Sequence, residues 1–311
     1  ALKIVLENDF QRRLRAFAAG QDVAGSYQLP GWARFAKEVG SGPEARALFV
    51  EMQQAEPKLL ATVDDEPSKI AEAVTLRVAY LQEAIAQGQQ ASQLSLGTIT
   101  SILFILNGQD VELPMVMTQS IGTYFRYPSF AGAIQTGSQR ELLRKMLGIW
   151  IEKSKGWDAY HAMFLSMQYN IPIGLVPAKR IVQGELVQQN QTYFLCYALL
   201  TFARFGDATH LSLVEPLLDD KTAYGGTIAV SGKAKYQTQI RDIALATLVH
   251  LANQEHKDFG FTRYRTHATQ VFNTSSVAFE NDEKREEAIK KWMDYRHTHA
   301  GSVAAAAAGD L

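Results

Sequence analysis

Apolar residues recur every three or four positions through much of this chain, and the clearest case lies between Ile240 and Leu251. Apolar or small side chains there fall on one face of a helix with 3.6 residues per turn. These positions are Ile240, Ile243, Ala244, Thr247, Leu248 and Leu251. Leu245, Ala246 and Val249 make the opposite face partly apolar, which is typical of a helix packed between neighbours.

The preceding stretch predicts two more helices. The apolar stripe of the first consists of Leu195, Ala198, Leu199, Phe202 and Phe205. Gly206 predicts the end of this helix, because glycine accepts the left-handed conformation that often follows a last turn. Asp207 is expected to cap the next helix, which runs from Ala208 to Leu218 and is bent by Pro216.

Helical spacing or strong helix formers predict helices elsewhere as well. These helices cover residues 1–19, 69–87, 94–106, 138–155 and 280–297. The last one is highly charged and has one apolar side, as a terminal capping helix should. Residues 221–239 contain Gly225, Gly226 and Gly232 and predict a long loop, within which β-prone Thr227–Val230 allows a small hairpin.

The helical units align when Ala198-Leu199 is placed opposite Ala244-Leu245, at an offset of 46 residues. Helical repeats of the HEAT and armadillo type have periods of roughly 40–47 residues. Pro216-Leu217-Leu218-Asp219 resembles the end of the first helix of a HEAT repeat. Ile240-Arg241-x-x-Ala244, with Leu248 and Leu251, resembles its second helix. Over residues 193–251 the chain therefore resembles HEAT-like repeat proteins.

The resemblance implies structural roles for Asp219 or Asp220 and for Arg241. In HEAT repeats the turn aspartate and the helix arginine bond to one another and to neighbouring repeats. The chain departs from the family at residues 221–239, because HEAT repeats join their two helices by only a few residues, whereas 19 intervene here. Insertions of that length are usually functional or disordered.

These patterns predict an all-α fold, specifically an α-solenoid of stacked antiparallel helix pairs with the long insertion at 221–239. We expect an N-terminal helical region over residues 1–125, HEAT-like repeats over 126–262, and a C-terminal capping helix and tail over 263–311. Each helix pair in such an array buries its apolar face only against its neighbours.

Charge and cysteine content narrow the function classes. The 31 basic and 32 acidic side chains nearly cancel, which argues against nucleic acid as the main ligand because that function normally needs a basic stripe. Cys196 is the single cysteine, so an intrachain disulfide is excluded and a reducing compartment such as the cytoplasm is favoured, although the compartment stays open. No apolar run approaches the roughly 18–20 residues of a membrane span.

Motifs for catalysis, cofactors or metals are not convincing in this sequence. Gly226–Lys233 has five residues between its glycines and alanine after its lysine, whereas a phosphate-binding loop needs four residues and then serine or threonine. The histidines lack the spacing of a zinc site. Cys196 lies in an apolar helix and is interpreted as a buried small residue rather than a nucleophile. We therefore expect no catalytic residue, no cofactor and no metal.

A basic and aromatic group provides the best candidate for binding a partner. It comprises Arg263, Tyr264, Arg265 and His267, and we add Lys233 and Lys235 from the insertion. Helical-repeat surfaces bind other macromolecules, so the leading hypothesis is a non-catalytic, protein-binding scaffold or accessory subunit. One alternative is a HEAT-like protein that binds nucleic acid. The other is a helical enzyme with a site near Asp158, His161 and Tyr169.

Overall fold

The computed structural model of the chain describes residues 2–21, 29–88, 94–108, 111–185, 191–230 and 234–299. It divides into two compact units, Ala1–Lys153 (unit 1) and Ser154–Leu311 (unit 2). The sequence had instead suggested divisions after residues 125 and 262. Most described residues are helical, so the predicted all-α class is confirmed at that level. None of the helices in the described ranges is both long and apolar enough to cross a membrane.

Unit 1 has nine helices within its described residues. They are α1 (Leu2–Ala18), α2 (Trp32–Glu38), α3 (Pro43–Ala55), α4 (Pro57–Leu60), α5 (Pro67–Ala86), α6 (Leu96–Gly108), α7 (Met115–Tyr124), α8 (Pro128–Thr136) and α9 (Arg140–Lys153). Helix α6 is apolar around most of its circumference and is buried between α3 and α9. A Cβ atom on Gly97 would lie 2.3 Å from the carbonyl oxygen of Glu51, so glycine permits the close approach of α6 to α3.

Aromatic rings join the first helices of unit 1 into one core. The ring of Phe17 lies 4.6 Å from that of Trp32, and Phe35 lies 5.1 Å from Phe49 and 5.4 Å from Phe104. Edge-to-face and tilted pairs of this kind add to the free energy that burial of the rings contributes. The core of unit 1 therefore draws on α1, α2, α3 and α6 together.

Unit 2 has six helices and two small sheets within its described residues. The helices are α10 (Gly156–Tyr169), α11 (Leu175–Val182), α12 (Gln191–Phe205), α13 (Leu211–Val214), α14 (Ile240–Leu251) and α15 (Asp282–Thr298). The strands are β1 (Ala223–Val230), β2 (Ala234–Gln239), β3 (Thr266–His267) and β4 (Val271–Phe272). Strands β1 and β2 pair antiparallel, as do β3 and β4.

Helices α12 and α14 pack side by side and run in the same direction. The Thr247 hydroxyl donates to the carbonyl oxygen of Leu199, and the His250 ring lies beside the backbone carbonyl of Ala203. Residues further along α12 contact residues further along α14, so the two helices are parallel. Their pairing separates contacting residues by 48 and 47 positions, close to the offset of 46 at which the sequence aligned.

Residues 263–299 share the core of unit 2. Phe272, Val277, Phe279, Ala288 and Trp292 are buried in the same apolar cluster as Leu199 and Leu248. Helix α15 begins after Asn281, whose side chain accepts from the amide of Lys284. The apolar side predicted for this helix comprises Ala288, Ile289, Trp292 and Met293; Ala288 and Trp292 are buried, whereas Met293 is exposed. The C-terminal segment therefore packs as part of unit 2 rather than as a separate region.

The segment after α12 differs in part from the predicted helix. Asp207 caps it as expected, because its side chain accepts from the amide of Thr209. Only Leu211–Val214 is α-helical, however, and a 3-10 turn occupies Glu215–Asp219. Pro216 has no amide proton to donate, so it interrupts the α-helical bonding.

Gly206 follows the last residue of α12, but it does not adopt the left-handed conformation that was expected. Its φ is not in the left-handed region. A Cβ atom on Gly206 would instead lie 2.6 Å from the carbonyl oxygen of Phe202 and 3.1 Å from a methyl carbon of Leu251. Glycine is therefore required here mainly because the carbonyl oxygen of Phe202 leaves no space for a Cβ atom, and the Leu251 methyl group crowds the same position.

Candidate functional site

Strands β1 and β2 occupy most of the described part of the inserted segment 221–239 and pair as a β-hairpin, which the sequence had allowed only at Thr227–Val230. Its register is irregular between Tyr224 and Ile228, where Gly225 has a left-handed φ of 70°. The side chain of Gln237 bridges this irregularity: it donates to the carbonyl oxygen of Gly225 at 2.8 Å and accepts from the Thr227 hydroxyl at 2.6 Å. The β-prone residues thus pair over a longer stretch than Thr227–Val230 alone suggested.

The hairpin lies against the segment that follows α14. The Arg263 guanidinium stands 4.3 Å from the centre of the Tyr236 ring, which is within cation–π distance. The Thr238 hydroxyl donates to the carbonyl oxygen of Thr274 at 3.1 Å. The two regions that the sequence singled out for partner binding are therefore adjacent.

We use the name hairpin surface for the exposed and half-exposed side chains of these two regions and of the neighbouring end of α12. It consists of Tyr193, Thr227, Tyr236, Arg263, Arg265 and His267. Tyr193 is 47% exposed, and its ring lies 5.5 Å from that of Tyr224 on β1. Tyrosine and arginine are enriched among residues that dominate binding energy at protein interfaces.

The other predicted contact residues have different positions. Tyr264 does not face solvent freely, because its ring stacks on buried His256 at 3.8 Å. It supports the core instead of the surface. Lys233 lies outside the described residues. The backbone of Lys235 pairs with Ala229 in the hairpin.

A buried ion-pair network anchors the base of the hairpin. Arg285 binds both carboxylate oxygens of Asp242, at 2.5 and 3.1 Å, and donates to the carbonyl oxygen of Gln237 at 3.2 Å. Arg285 also pairs with Asp282. Asp242 accepts in addition from the amide of Gln239. Strand β2, the start of α14 and the start of α15 are thereby fixed to one another.

The electrostatics of this network depend on its burial. Asp242 is fully buried and Arg285 is 3% exposed. Burial raises the pKa of Asp242, while the adjacent Arg285 guanidinium and the Gln239 amide oppose that rise. The reasoning from sequence missed both residues. The Gln239-x-x-Asp242 spacing of a capping box was the one local signal available.

The residues expected to have repeat-type roles bond differently from the expectation. The Arg241 side chain pairs with Asp282 at 2.7 Å and with Gln239 at 2.6 Å, rather than with Asp219 or Asp220. Asp220 instead caps its own turn by accepting from the amide of Thr222. Its carbonyl oxygen accepts from the backbone amide of Arg241. The segment before the hairpin therefore contacts Arg241 through a hydrogen bond between backbone atoms.

Cys196 lies under the hairpin and is completely buried. Burial raises the pKa of its thiol to about 12, and its hydrogen bond with Tyr224 opposes that rise only in part. Burial also raises the pKa of Tyr224. Because the thiolate is the nucleophile, a thiol with this pKa stays protonated and unreactive near neutral pH.

Asp158, His161 and Tyr169 all belong to α10. Burial raises the pKa of Asp158 to about 7, a value suited to acid–base chemistry. Tyr169, however, is eleven residues further along, and a rise of 1.5 Å per residue puts it about 16 Å away along the helix axis. The helix does not bring the three groups to one reacting atom. Among the described residues, no group of three or more His, Cys, Asp or Glu is arranged to hold a metal ion.

Comparisons with protein-family models, with curated proteins and with solved structures found no match to this chain.

Proposed function

We propose that the protein is a non-catalytic, protein-binding scaffold built from HEAT-like stacked helix pairs, and that it holds its partner at the hairpin surface. The observation that carries this proposal is the parallel packing of α12 on α14 at nearly the spacing of the sequence repeat. In a helical repeat array, equivalent helices of successive repeats lie side by side in this manner.

The neighbouring helices of unit 2 support the same arrangement. Helix α10 packs on α12, which packs on α14, as expected if the three long helices belong to one layer of a repeat array. Helix α11 contacts both α12 and α13, as expected if α11 and α13 belong to a second layer. The proposal therefore extends the repeat pattern beyond residues 193–251, where the sequence resemblance was clear.

The hairpin is well suited to presenting a binding surface. Its base is fixed by the buried Asp242–Arg285 pair, and a rigid base reduces the conformational entropy that a partner's binding must offset. Its flanks offer tyrosine and arginine side chains together with exposed Arg265 and His267. Arginine and aromatic residues in this combination favour a protein partner with acidic groups at the rim.

Affinity capture from a native extract, followed by quantitative mass spectrometry, tests the proposal. The bait is the full chain, compared with the Arg265→Glu/His267→Glu variant and with Lys290→Glu as a control for an exposed charge reversal elsewhere in unit 2. We expect proteins that the wild type and the control retain and the double variant loses. If the double variant retains the same set in the same amounts, the hairpin surface is not the binding site.

A further inference from the structure

An open groove lies in unit 1, between the end of α3 and helix α5, well apart in sequence from the hairpin surface. Its volume is about 640 Å³, within the range of roughly 300–1,000 Å³ that ligand sites occupy. The residues that matter for its chemistry are Glu56, Lys58, Leu59, Leu76, Arg77 and Tyr80.

The α5 wall of the groove is an apolar flank separate from the side of α5 that faces the core. The core side consists of Ile70, Val74, Val78 and Leu81. Leu76 and Tyr80 are four residues apart, so they neighbour one another on the helix surface. Leu76 is 66% exposed and Tyr80 is 50% exposed. Large apolar side chains exposed together beside a groove indicate an interaction site rather than ordinary surface.

The positively charged guanidinium of Arg77 is held in a fixed position at the floor of the groove. Glu56 is buried and accepts from Nε and Nη2 of Arg77 at 2.6 to 3.0 Å and from the Thr98 hydroxyl at 2.9 Å. The Arg77 guanidinium also lies 5.0 Å from the Tyr80 ring centre. Within the described residues, Nη1 of Arg77 makes no hydrogen bond to the protein, so it can donate to an incoming carboxylate oxygen.

The charges of the lining favour an acidic occupant. Glu56 and Arg77 neutralise one another, and exposed Lys58 adds one positive charge. The groove is therefore apolar along α5 and carries a net positive charge at its opposite wall. This combination complements a segment that has both aliphatic side chains and a carboxylate.

We propose that this groove binds an acidic amphipathic peptide segment of a partner protein. An aliphatic side chain of the peptide packs on Leu76 and Tyr80, and a carboxylate is held between Arg77 and Lys58. A peptide fits better than an enclosed small molecule because the groove is open to solvent along α5. Groove binding of amphipathic segments is a recurring mode of protein recognition.

The test is selection of a phage-displayed library of peptides of about twelve residues against the full chain, followed by fluorescence anisotropy with the synthetic consensus peptide. We expect a consensus with at least one Asp or Glu beside aliphatic residues. Leu76→Lys and Lys58→Glu should each weaken its binding by about tenfold or more. Val116→Lys, a matched change at another exposed apolar position of unit 1, should leave the affinity unchanged.

Three results would overturn this proposal. One is a selection that enriches no acidic consensus. Another is a consensus peptide that binds Leu76→Lys as tightly as it binds the wild type. The third is a concentration-dependent dimer of the protein alone, seen by sedimentation equilibrium and abolished by Leu76→Lys, which would assign the groove to a second copy of the chain.

Discussion

The hydroxyl of Thr247 on α14 donates a hydrogen bond of 3.3 Å to the backbone carbonyl of Leu199 on α12. Both residues are completely buried, so the bond lies inside the interface of the two helices. Thr247 is one of the positions on the apolar face predicted for α14. The bond fixes the register in which the two helices stack.

Shortening a side chain in this interface should destabilise unit 2. Leu199→Ala removes buried methyl groups and leaves a cavity, which costs about 2–5 kcal/mol of unfolding free energy. Met293→Ala, at a half-exposed position of α15, should cost less than about 1 kcal/mol. Urea unfolding monitored by circular dichroism measures both. Equal costs for the two variants would show that α12 and α14 do not form the interior of the unit.

Breaking the buried ion pair at the base of the hairpin should be costly. Asp242→Asn removes the only fully buried counter-charge of Arg285 among the described residues and leaves it the exposed Asp282, so we expect a loss of about 3–5 kcal/mol. Replacing both partners, in Asp242→Asn/Arg285→Met, should recover part of that loss because no buried charge remains uncompensated. Chemical unfolding of the three proteins gives the comparison. A double variant less stable than Asp242→Asn would contradict this explanation.

Acid should destabilise unit 2 through His256. Burial lowers the pKa of His256 to about 4, and its Nε2 lies 3.0 Å from the carbonyl oxygen of Ala246. The unfolded chain therefore binds a proton below about pH 6.5 while the folded chain resists it down to about pH 4. The stabilising contribution is complete above pH 6.5 and is lost as the pH falls through this window, by at most about 3 kcal/mol.

The measurement for His256 is urea unfolding at pH 7 and pH 4.5. The wild type should lose more stability between these two values than His256→Gln, which cannot take up a proton but can still donate to Ala246. A pH dependence that is identical in the two proteins would rule out His256 as its source.

The pH dependence of stability that Asp158 causes should be opposite to that from His256, because raising the pH should destabilise the protein. Burial raises the pKa of Asp158 to about 7, so the folded protein holds a proton that the unfolded chain releases above about pH 4. Stability is then lost as the pH rises from about 4 to 7. Asp158→Asn should stabilise the protein at pH 8 by about 1–3 kcal/mol. We place the gain in this lower range because the carboxyl group is only half-buried. It also lies in the first turn of α10, where the helix dipole favours the carboxylate. At pH 3.5 the variant and the wild type should unfold alike; a destabilised variant at pH 8 would contradict the raised pKa.

Local signals in the sequence predicted the local structure well. Helix α14 has the bounds read from its periodicity, Ile240–Leu251, and Asp207 caps the segment after α12 as expected. These features depend on contacts between residues a few positions apart, which periodicity and capping preferences record directly. The offset of 46 residues at which the sequence aligned is also close to the separations of 48 and 47 residues between contacting positions of α12 and α14.

Features that depend on distant contacts were not predictable from one sequence. Asp242 and Arg285 are 43 positions apart, and nothing local to either residue indicates the other. Tyr264 was expected on the surface because it alternates with charged residues, yet it stacks on His256. Likewise, Glu56 meets Arg77 only once α5 folds back beside the end of α3, so the groove of unit 1 left no motif in the sequence.

Hydrogen exchange with mass spectrometry, on the full chain alone and in complex with a protein that it captures, provides the decisive comparison. Binding at the hairpin surface predicts slower exchange in residues 223–227, 236–239 and 263–267, with little change in the buried helices α12 and α14. Unchanged exchange in all three of those stretches, with protection elsewhere in unit 2, would show that the partner is held at a different surface.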